Sequence, residues 1–344
     1  MIYICIFVLL FIFSLTEDKL NEKLFKLSTA ATLCLTGFRS PGLGIDTAGG
    51  YYEYYQYVSA GVRLSWLEPA WELINRLAIM LGLGYSGVIM ISAALTIFPV
   101  AYVINRTVNN KCFSFAIYYG MFFVLFSFNL MRQCIAVSFA LLAVYYYING
   151  RFLKSALGLV AGLMFHKSVV VIIPLIFFLK LKIRYVDTVM LVAVSYLCGL
   201  LLSDDFFVFI SGQYAVNFLN TGGYAGFRSS ITLPALFSFV FSLFFLFLIR
   251  ISYDKTQRDP WYLVSLLGVV VMNLTLRLGQ GTRIVLYFSQ AQMIFFANYI
   301  NGIDNRQNKR IIIMVFLLYL AVNFFRILYS QWDTLCPYNF FWNV

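Results

Sequence analysis

The sequence predicts an all-α membrane protein that crosses the bilayer many times. The 344 residues are 62% hydrophobic and only 11% charged, with a mean hydropathy of +0.84, whereas a soluble protein carries roughly 25% charged residues. Apolar runs recur along the whole chain, and most of the Lys and Arg residues lie in the short stretches between these runs. Together these observations predict a single multi-span membrane domain over residues 1–344.

The apolar runs suffice for about twelve transmembrane helices at ~20 residues each, and a GT-C-like arrangement of these helices is one option. The runs 155–166 and 168–179 are short, so they are either two spans or one broken, re-entrant pair. The runs are 2–15, a second that ends near Phe38, 87–104, 112–128, 133–148, 155–166, 168–179, 186–202, 231–249, 261–277, 284–300 and 311–329.

Two longer polar segments are predicted to be outer loops, at 39–86 and 203–230. Residues 66–84 within the first loop alternate at helical spacing, which predicts an amphipathic helix that lies at the outer membrane face. Its predicted apolar side is Trp71, Ile74, Leu77 and Leu81, and its predicted polar side is Glu72, Asn75 and Arg76.

The distribution of cations predicts the orientation of the spans. Sixteen of the 25 Lys and Arg residues lie in loops 16–26, 105–111, 149–154, 180–184, 250–260 and 301–310, and the positive-inside rule makes these loops cytoplasmic. The other nine then lie at outer loops or outer ends of spans, and all but Lys167 are Arg: Arg39, Arg63, Arg76, Arg132, Lys167, Arg228, Arg277, Arg283 and Arg326. These arginines either extend to lipid headgroups or bind a phosphate or carboxylate group.

Composition also excludes several classes of function. The six cysteines are scattered without a Cys-x-x-Cys pair, and His166 is the one histidine, so a Cys- or His-based metal site is excluded. We find no phosphate-cradling nucleotide loop and no basic stretch dense enough for nucleic acid. We therefore expect no metal, no cofactor and no nucleic-acid partner.

Residues 37–57 form the most informative loop. Its glycines and Pro41 predict irregular backbone, and it carries Arg39, Asp46 and a block of tyrosines. Arg suits a phosphate, and tyrosine rings suit sugar rings. The alternative interpretation is an interfacial tyrosine belt. The tyrosines that are candidates for binding a glycan are Tyr51, Tyr52, Tyr54 and Tyr55.

Three further clusters of polar residues stand at predicted outer ends of spans. Arg132 and Gln133 open a helix, where backbone N–H groups also favour an anion. His166 is either a structural residue or a base, and the cation of Lys167 favours its neutral, proton-accepting form. Arg277 and Arg283 flank a glycine turn that predicts an anion cradle.

The order of these motifs resembles the EpsG/Wzy group of bacterial polysaccharide polymerases. Gly-Phe-Arg-x₂-Gly-x-Gly-x-Asp is followed by tyrosines, then by Leu-Met-Arg-Gln-x-Ile-Ala, Phe-His-Lys-Ser, a late Arg in a Gly-rich turn, and Cys-Pro-Tyr near the end. The resemblance covers essentially the whole chain. It implies functional roles for Arg39, Asp46, Arg132, Gln133, His166 and Arg283.

The resemblance implies a multi-pass protein of the bacterial inner membrane whose active site faces the periplasm or outside. The implied enzyme is a metal-independent glycosyltransferase that moves a growing glycan from polyprenyl pyrophosphate to a sugar hydroxyl of another lipid-linked unit. His166 or Asp46 is the expected base, and Arg39, Arg132, Gln133, Arg277 and Arg283 are expected to hold the pyrophosphate.

The expected partners of this enzyme are the lipid-linked oligosaccharide, membrane lipid, a chain-length regulator and a flippase. An O-antigen ligase, another polyprenyl-phosphate-sugar glycosyltransferase, a lipid-linked oligosaccharide flippase or transporter, and an acyltransferase are the alternative functions.

Overall fold

A computed structural model describes residues 1–344 except 17, 65–66, 122, 180, 203–230, 252–258, 279–280, 304 and 344. The predicted outer loop 203–230 therefore lies outside the described residues. The described part is all-helical, as predicted. Its α-helices are α1 Ile2–Ser14, α2 Asp18–Gly37, α3 Ile45–Ala48, α4 Gly50–Ser59, α5 Pro69–Met80, α6 Gly84–Thr107, α7 Lys111–Gly120, α8 Phe123–Phe126, α9 Met131–Ile148, α10 Phe152–Phe165, α11 Ile173–Phe178, α12 Tyr185–Leu201, α13 Thr232–Ile251, α14 Trp261–Leu274, α15 Gly281–Asn301, α16 Arg306–Ser330 and α17 Trp332–Leu335.

Four of the described helices are long and apolar enough to cross a membrane: α6, α9, α13 and α16. Shorter apolar helices, among them α1, α10, α12 and α14, accompany them. The multi-pass character of the chain follows from these helices, whereas the number of twelve spans and the GT-C-like arrangement stay predictions.

One predicted span is interrupted. The run 112–128 forms α7, which ends at Gly120, and the separate short helix α8. A Cβ on Gly120 would lie 2.9 Å from the ring of Phe7, so only glycine allows this close contact. The carbonyl of Gly120 accepts a hydrogen bond from Asn323 Nδ2 at 3.3 Å, and this satisfies a backbone group that the interruption exposes.

The block of tyrosines is helical, which corrects the prediction of irregular backbone throughout 37–57. Residues 38–44 are irregular, but α3 and α4 follow them. Tyr51 and Val58 are the buried residues of α4. They are seven residues apart and therefore lie on one helix face, so burial of that face stabilises the helix despite its low apolar content.

The predicted interfacial helix is present as α5, but two of its residues differ from the prediction. Asn75 is fully buried and donates a hydrogen bond to the Trp71 carbonyl at 2.8 Å. Leu81, which was predicted on the apolar side, follows the helix and is 61% exposed. The buried face is therefore rotated towards Trp71, Ile74 and Ala78.

The chain divides into two compact units, and the first comprises residues 1–170 and 296–344. In this unit α9 packs between α6 and α10. A Cβ on Gly158 would lie 3.2 Å from Ala143 Cβ, and one on Gly162 would lie 3.3 Å from the Ala136 carbonyl oxygen. Small residues at this spacing let two helix backbones approach closely, which is the usual basis of helix association in lipid.

The C-terminal segment of the first unit folds back onto the loop at 38–44. Ser40 N–H donates to the Asn339 carbonyl at 2.8 Å, and Phe341 N–H donates to the Phe38 carbonyl at 3.0 Å. Arg39 and Phe340 form an antiparallel bridge between these two pairs. Two motifs that are about 300 residues apart in the sequence are therefore one structural feature.

The second unit comprises residues 171–295 and contains the helices α12, α13 and α14, which pack against one another. The side chain of Asn273 lies at their centre, fully buried. Its Oδ1 accepts hydrogen bonds from Ser238 and Ser242, and its Nδ2 donates to Ser195 Oγ at 3.1 Å. A buried amide with these partners fixes the register of the three helices.

Candidate functional site

Arg39 lies in the interior of the first unit, with 2% of its surface exposed. Its Nη1 donates to the Thr36 carbonyl at 2.7 Å, and its guanidinium stacks over the ring of Phe128 at 4.3 Å. Burial lowers the pKa of Arg39 to about 10, so the side chain remains charged at neutral pH. These contacts hold the loop at 38–44 in place, and the predicted contact of Arg39 with pyrophosphate stays a prediction.

The loop at 38–44, which Arg39 stabilises, packs closely against the turn before α9. Gly44 has a φ of +94°, and a Cβ there would lie 2.4 Å from the Phe128 carbonyl oxygen. Thr47 donates to the same carbonyl, and Tyr85 donates from its hydroxyl to the Thr47 carbonyl at 2.7 Å. The adjacent Asp46 is half-buried. The position of Asp46 is therefore fixed by its neighbours.

Arg132 lies in the first turn of α9, as predicted, where the helix dipole favours an anion. In the structure that anion is Glu68, the residue that precedes α5, and Arg132 Nη1 donates to Glu68 Oε2. The Arg132 side chain is 18% exposed and the Glu68 side chain 11%. The pair is thus largely enclosed, but solvent reaches part of it.

Aromatic side chains form the walls around this ion pair. The Arg132 guanidinium lies 5.6 Å from the ring centre of Tyr51 and 5.5 Å from that of Tyr54. The Tyr51 ring also packs against Trp71 at 5.0 Å. Burial raises the pKa of Tyr51 to about 12, and the nearby charge of Asp46 adds to this. The Tyr51 hydroxyl therefore stays neutral at physiological pH.

The other predicted glycan-binding tyrosines face a different neighbour. Tyr52 and Tyr55 pack against Tyr85, with ring centres 5.3 and 5.5 Å apart. Tyr52 is 41% exposed, so one face of this cluster is accessible. The predicted tyrosines are thus divided between two at Arg132, of which Tyr51 is buried and Tyr54 half-buried, and two at Tyr85, of which Tyr52 is exposed and Tyr55 half-buried.

His166 ends α10 and lies in a break before the 3₁₀ helix Lys167–Ile172. Its Nδ1 accepts a hydrogen bond from the Ser168 backbone N–H at 3.3 Å and lies 2.6 Å from Ser168 Oγ. These contacts orient the imidazole ring, and the predicted role of His166 as a base stays a prediction.

Helix packing brings His166 to the same end of the first unit as Arg132. Helices α9 and α10 are antiparallel neighbours, and Phe165 stacks on Phe139 at 6.1 Å. The residue after Phe165 and the first turn of α9 therefore lie at the same end of the helix pair. Gln133 follows Arg132 on α9 and is 3% exposed, so its side chain belongs to the helix-packing interior.

Arg277 and Arg283 lie in the second unit. Arg277 donates from Nη2 to the carbonyl of Leu200, near the end of α12, at 2.8 Å, where a cation also complements the helix dipole. Arg283 lies in the first turn of α15. Both positions agree with the predicted turn between helices, and their contact with pyrophosphate stays a prediction.

Sequence reasoning missed Glu68 as a site residue. Glu68 lies near the start of the predicted amphipathic segment 66–84, and its pairing with Arg132 joins positions 64 residues apart. A glutamate before Pro69 at the first helical position is an ordinary helix start, so local pattern gave no reason to assign it a partner. The available signal was that Glu68 is one of only four acids in the predicted outer loop 39–86, which also carries three arginines and many tyrosines.

The apolar spanning helices define a multi-pass membrane protein, and a partly exposed arginine–carboxylate pair lies at the N-terminus of one of these helices. Residues 22–340 match the model of the EpsG family, and the chain therefore belongs to the EpsG family. This membership indicates a general role in polysaccharide polymerisation and a glycosyltransferase-like activity. No curated protein and no solved structure matches the chain.

Proposed function

We propose that this protein polymerises lipid-linked oligosaccharide repeat units. It transfers a growing glycan from polyprenyl pyrophosphate to a sugar hydroxyl of another lipid-linked unit, at the outer face of the bacterial inner membrane. The observation that carries the proposal is the Arg132–Glu68 pair, a partly exposed cation at a helix N-terminus with its carboxylate partner beside it. Membership of the EpsG family supports the reaction class.

Arg132 is the residue best suited to hold the diphosphate leaving group. Its guanidinium is a fixed donor fork that matches phosphate oxygens, and the first turn of α9 adds backbone N–H groups and a positive dipole. In the structure, the Glu68 carboxylate accepts a hydrogen bond from the Arg132 guanidinium. An arriving diphosphate displaces Glu68, and the interaction with Arg132 strengthens as negative charge develops on the leaving oxygen.

Displacement of Glu68 also supplies a proton acceptor. In the transfer the bond between the sugar anomeric carbon and the phosphate oxygen breaks, and a new glycosidic bond forms to the acceptor hydroxyl oxygen. The hydroxyl proton passes to a carboxylate, Glu68 or Asp46, both of which neighbour the Arg132–Tyr51 contact. His166, which lies at the same end of the first unit, is the other candidate acceptor for this proton.

The surroundings of the pair fit a lipid-linked sugar. Exposed Tyr52, packed against Tyr85, offers a ring face on which a sugar can stack. Exposed apolar side chains on the membrane helices, such as Phe98 on α6 at 56% exposure, offer a surface for the polyprenyl tail. The charge count along the sequence favours the outer face for this end of the unit.

The proposal is tested with purified protein in nanodiscs, given one polyprenyl-pyrophosphate repeat unit from the host, no nucleotide, and EDTA. We expect a ladder of polymers on a gel. Arg132→Ala should abolish the ladder, whereas Arg76→Ala should retain it, because Arg76 is an exposed arginine that pairs within α5 with Glu72. Arg283→Ala should also abolish the ladder, because the family resemblance of its Gly-rich turn implies a functional role for Arg283.

The outcomes separate the alternatives. A ladder of normal length from Arg132→Ala would refute the assignment of the leaving-group site. A ladder that requires added divalent metal would refute metal independence. Transfer of a single unit to another acceptor, without a ladder, would indicate a ligase, and transbilayer movement without transfer would indicate a flippase.

A further inference from the structure

A second polar site lies at the opposite end of the first unit. It is a cavity of about 500 Å³, a size typical of ligand sites. We call it the basic pocket and define it by Lys19, Lys111, Lys309, Asn21, Asn110 and Asn301, which lie in its lining. These residues come from α2, α7, α15 and α16 and from the turn before α7.

The pocket is well separated from the Arg132–Glu68 pair. Helix α1 has 13 residues and is therefore about 20 Å long. At its start the Tyr3 ring contacts Phe128, in the turn before α9. At its end the Ser14 carbonyl accepts a hydrogen bond from Asn110 Nδ2 at 2.9 Å. The two sites therefore lie at opposite ends of α1.

The wall of the pocket is built by buried amides. Asn21 Nδ2 donates to Asn110 Oδ1 at 2.9 Å, and Asn21 Oδ1 accepts from the Cys112 backbone N–H at 3.2 Å. Asn110 Oδ1 also caps α7 by accepting from Phe113 N–H at 3.0 Å. These bonds join α1, α2 and α7, so the pocket is a fixed feature of the fold.

The lining is positively charged among the residues that the structure describes. Three lysines point to one cavity from three different helices, and Glu22 is the one acid in the lining. Glu22 already pairs with Lys26 at 2.7 Å. Cations that line one pocket disfavour one another's charge, and a bound anion relieves this repulsion.

The helices whose ends form the pocket continue with exposed apolar side chains. On α16 these are Ile311 and Leu318, at 49% and 66% exposure, and on α1, whose last residue bonds to Asn110 of the pocket wall, they are Leu9 and Ile12, at 47% and 52%. A molecule with an anionic head and apolar chains can place its head in the pocket and its chains along these helices.

We propose that the basic pocket binds a phosphate-bearing anion, and that its source is the headgroup of an anionic phospholipid. A soluble phosphate compound has the same head chemistry, and the experiment below separates the two sources. The site is independent of the proposed polymerase chemistry, because it lies at the other end of the unit and shares no residue with the Arg132–Glu68 pair.

The test is native mass spectrometry of delipidated protein in detergent, titrated with phosphatidylglycerol or phosphatidylcholine. A parallel titration uses inorganic pyrophosphate alone. We expect selective retention of phosphatidylglycerol, and we expect each of Lys19→Gln, Lys111→Gln and Lys309→Gln to weaken it about five-fold. Lys23→Gln is the matched control, because Lys23 is exposed on α2 and lies outside the lining.

The outcomes have separate meanings. Lysine-dependent binding of phosphatidylglycerol supports the lipid source, and lysine-dependent binding of pyrophosphate without lipid retention supports the soluble source. Equal binding of both lipids, or unchanged binding by the triple Lys→Gln variant, overturns the proposal. The triple Lys→Arg variant keeps the charge and should retain binding, which separates loss of charge from damage to the fold. Each variant's thermal unfolding midpoint is measured alongside.

Discussion

Replacing Glu68 by Gln removes the counter-ion of Arg132 while nearly preserving the shape of the side chain. The guanidinium then keeps its charge in a site that is only 18% exposed, and its Nε already has no hydrogen-bond partner in the structure. We therefore expect two opposite effects: lower stability of the free protein, and tighter binding of an anion that takes the place of Glu68.

The magnitude follows from the geometry of the pair. A hydrogen bond to a charged group contributes about 1.5–3 kcal/mol. Because both side chains are partly exposed, we expect a Glu68–Arg132 coupling energy of about 2 kcal/mol. The Glu72–Arg76 pair on α5 has a 2.6 Å contact, but its arginine side chain is 53% exposed. An exposed i,i+4 pair contributes about 0.3–0.5 kcal/mol.

The assay is a double-mutant cycle, Glu68→Gln with Arg132→Gln, measured by denaturant unfolding in mixed micelles. The cycle Glu72→Gln with Arg76→Gln is the control. Calorimetric binding of inorganic pyrophosphate to Glu68→Gln is the second readout, with an expected gain of about ten-fold, equivalent to ~1.4 kcal/mol. A coupling no larger than that of the control pair, or unchanged pyrophosphate binding, would refute the exchange of Glu68 for diphosphate.

Three further predictions concern the loop and the histidine. Arg39→Gln should destabilise the protein by about 3 kcal/mol, because the Thr36 carbonyl loses its donor and the stacking on Phe128 is lost. Arg63→Gln, at an exposed arginine of the same predicted loop, should change the free energy of unfolding by less than about 0.5 kcal/mol. Gly44→Ala should prevent the loop from seating and cost more than about 2 kcal/mol in the same unfolding titration, and Gly61→Ala, with φ +76° and open space around it, should cost about 1 kcal/mol; equal costs would contradict the predicted clash. His166→Ala should lower kcat in the polymerisation assay by about 10²-fold, with protein yield unchanged, and full activity would remove this residue from the mechanism.

The class of protein follows from composition and periodicity. An apolar chain with 11% charged residues has to satisfy its backbone hydrogen bonds internally in lipid, and helices do so locally. For the same reason the helix that Arg132 opens, and the amphipathic helix after Glu68, were predictable from nearby residues. The break after Gly120 was not, because it depends on Phe7 and Asn323, which are distant in the sequence.

The residues of the candidate site also fall into those that the sequence identified and those that only the fold identified. Arg132, Asp46 and the tyrosines were identified from their residue types, because a guanidinium, a carboxylate or an aromatic ring has the same binding chemistry wherever it lies. Their partners were not identified, because a side chain's partner depends on which helices pack together. The burial of Arg39 also required the fold, since one arginine in a glycine-rich loop suits a ligand as well as it suits a carbonyl-lined interior.

Hydrophobicity and charge along the sequence were sufficient to predict an all-helical membrane protein. The arginines and tyrosines of its predicted outer loops were sufficient to predict chemistry suited to a phosphate-linked sugar. Both depend on properties that each residue carries with it, namely hydrophobicity, charge and local backbone preference. Three features became visible only in the tertiary structure: Glu68 neutralises Arg132, the C-terminal segment pairs with the loop of Arg39, and three lysines line one pocket. Each of these features depends on contacts between segments that are distant in the sequence, and local residue preferences do not specify such contacts.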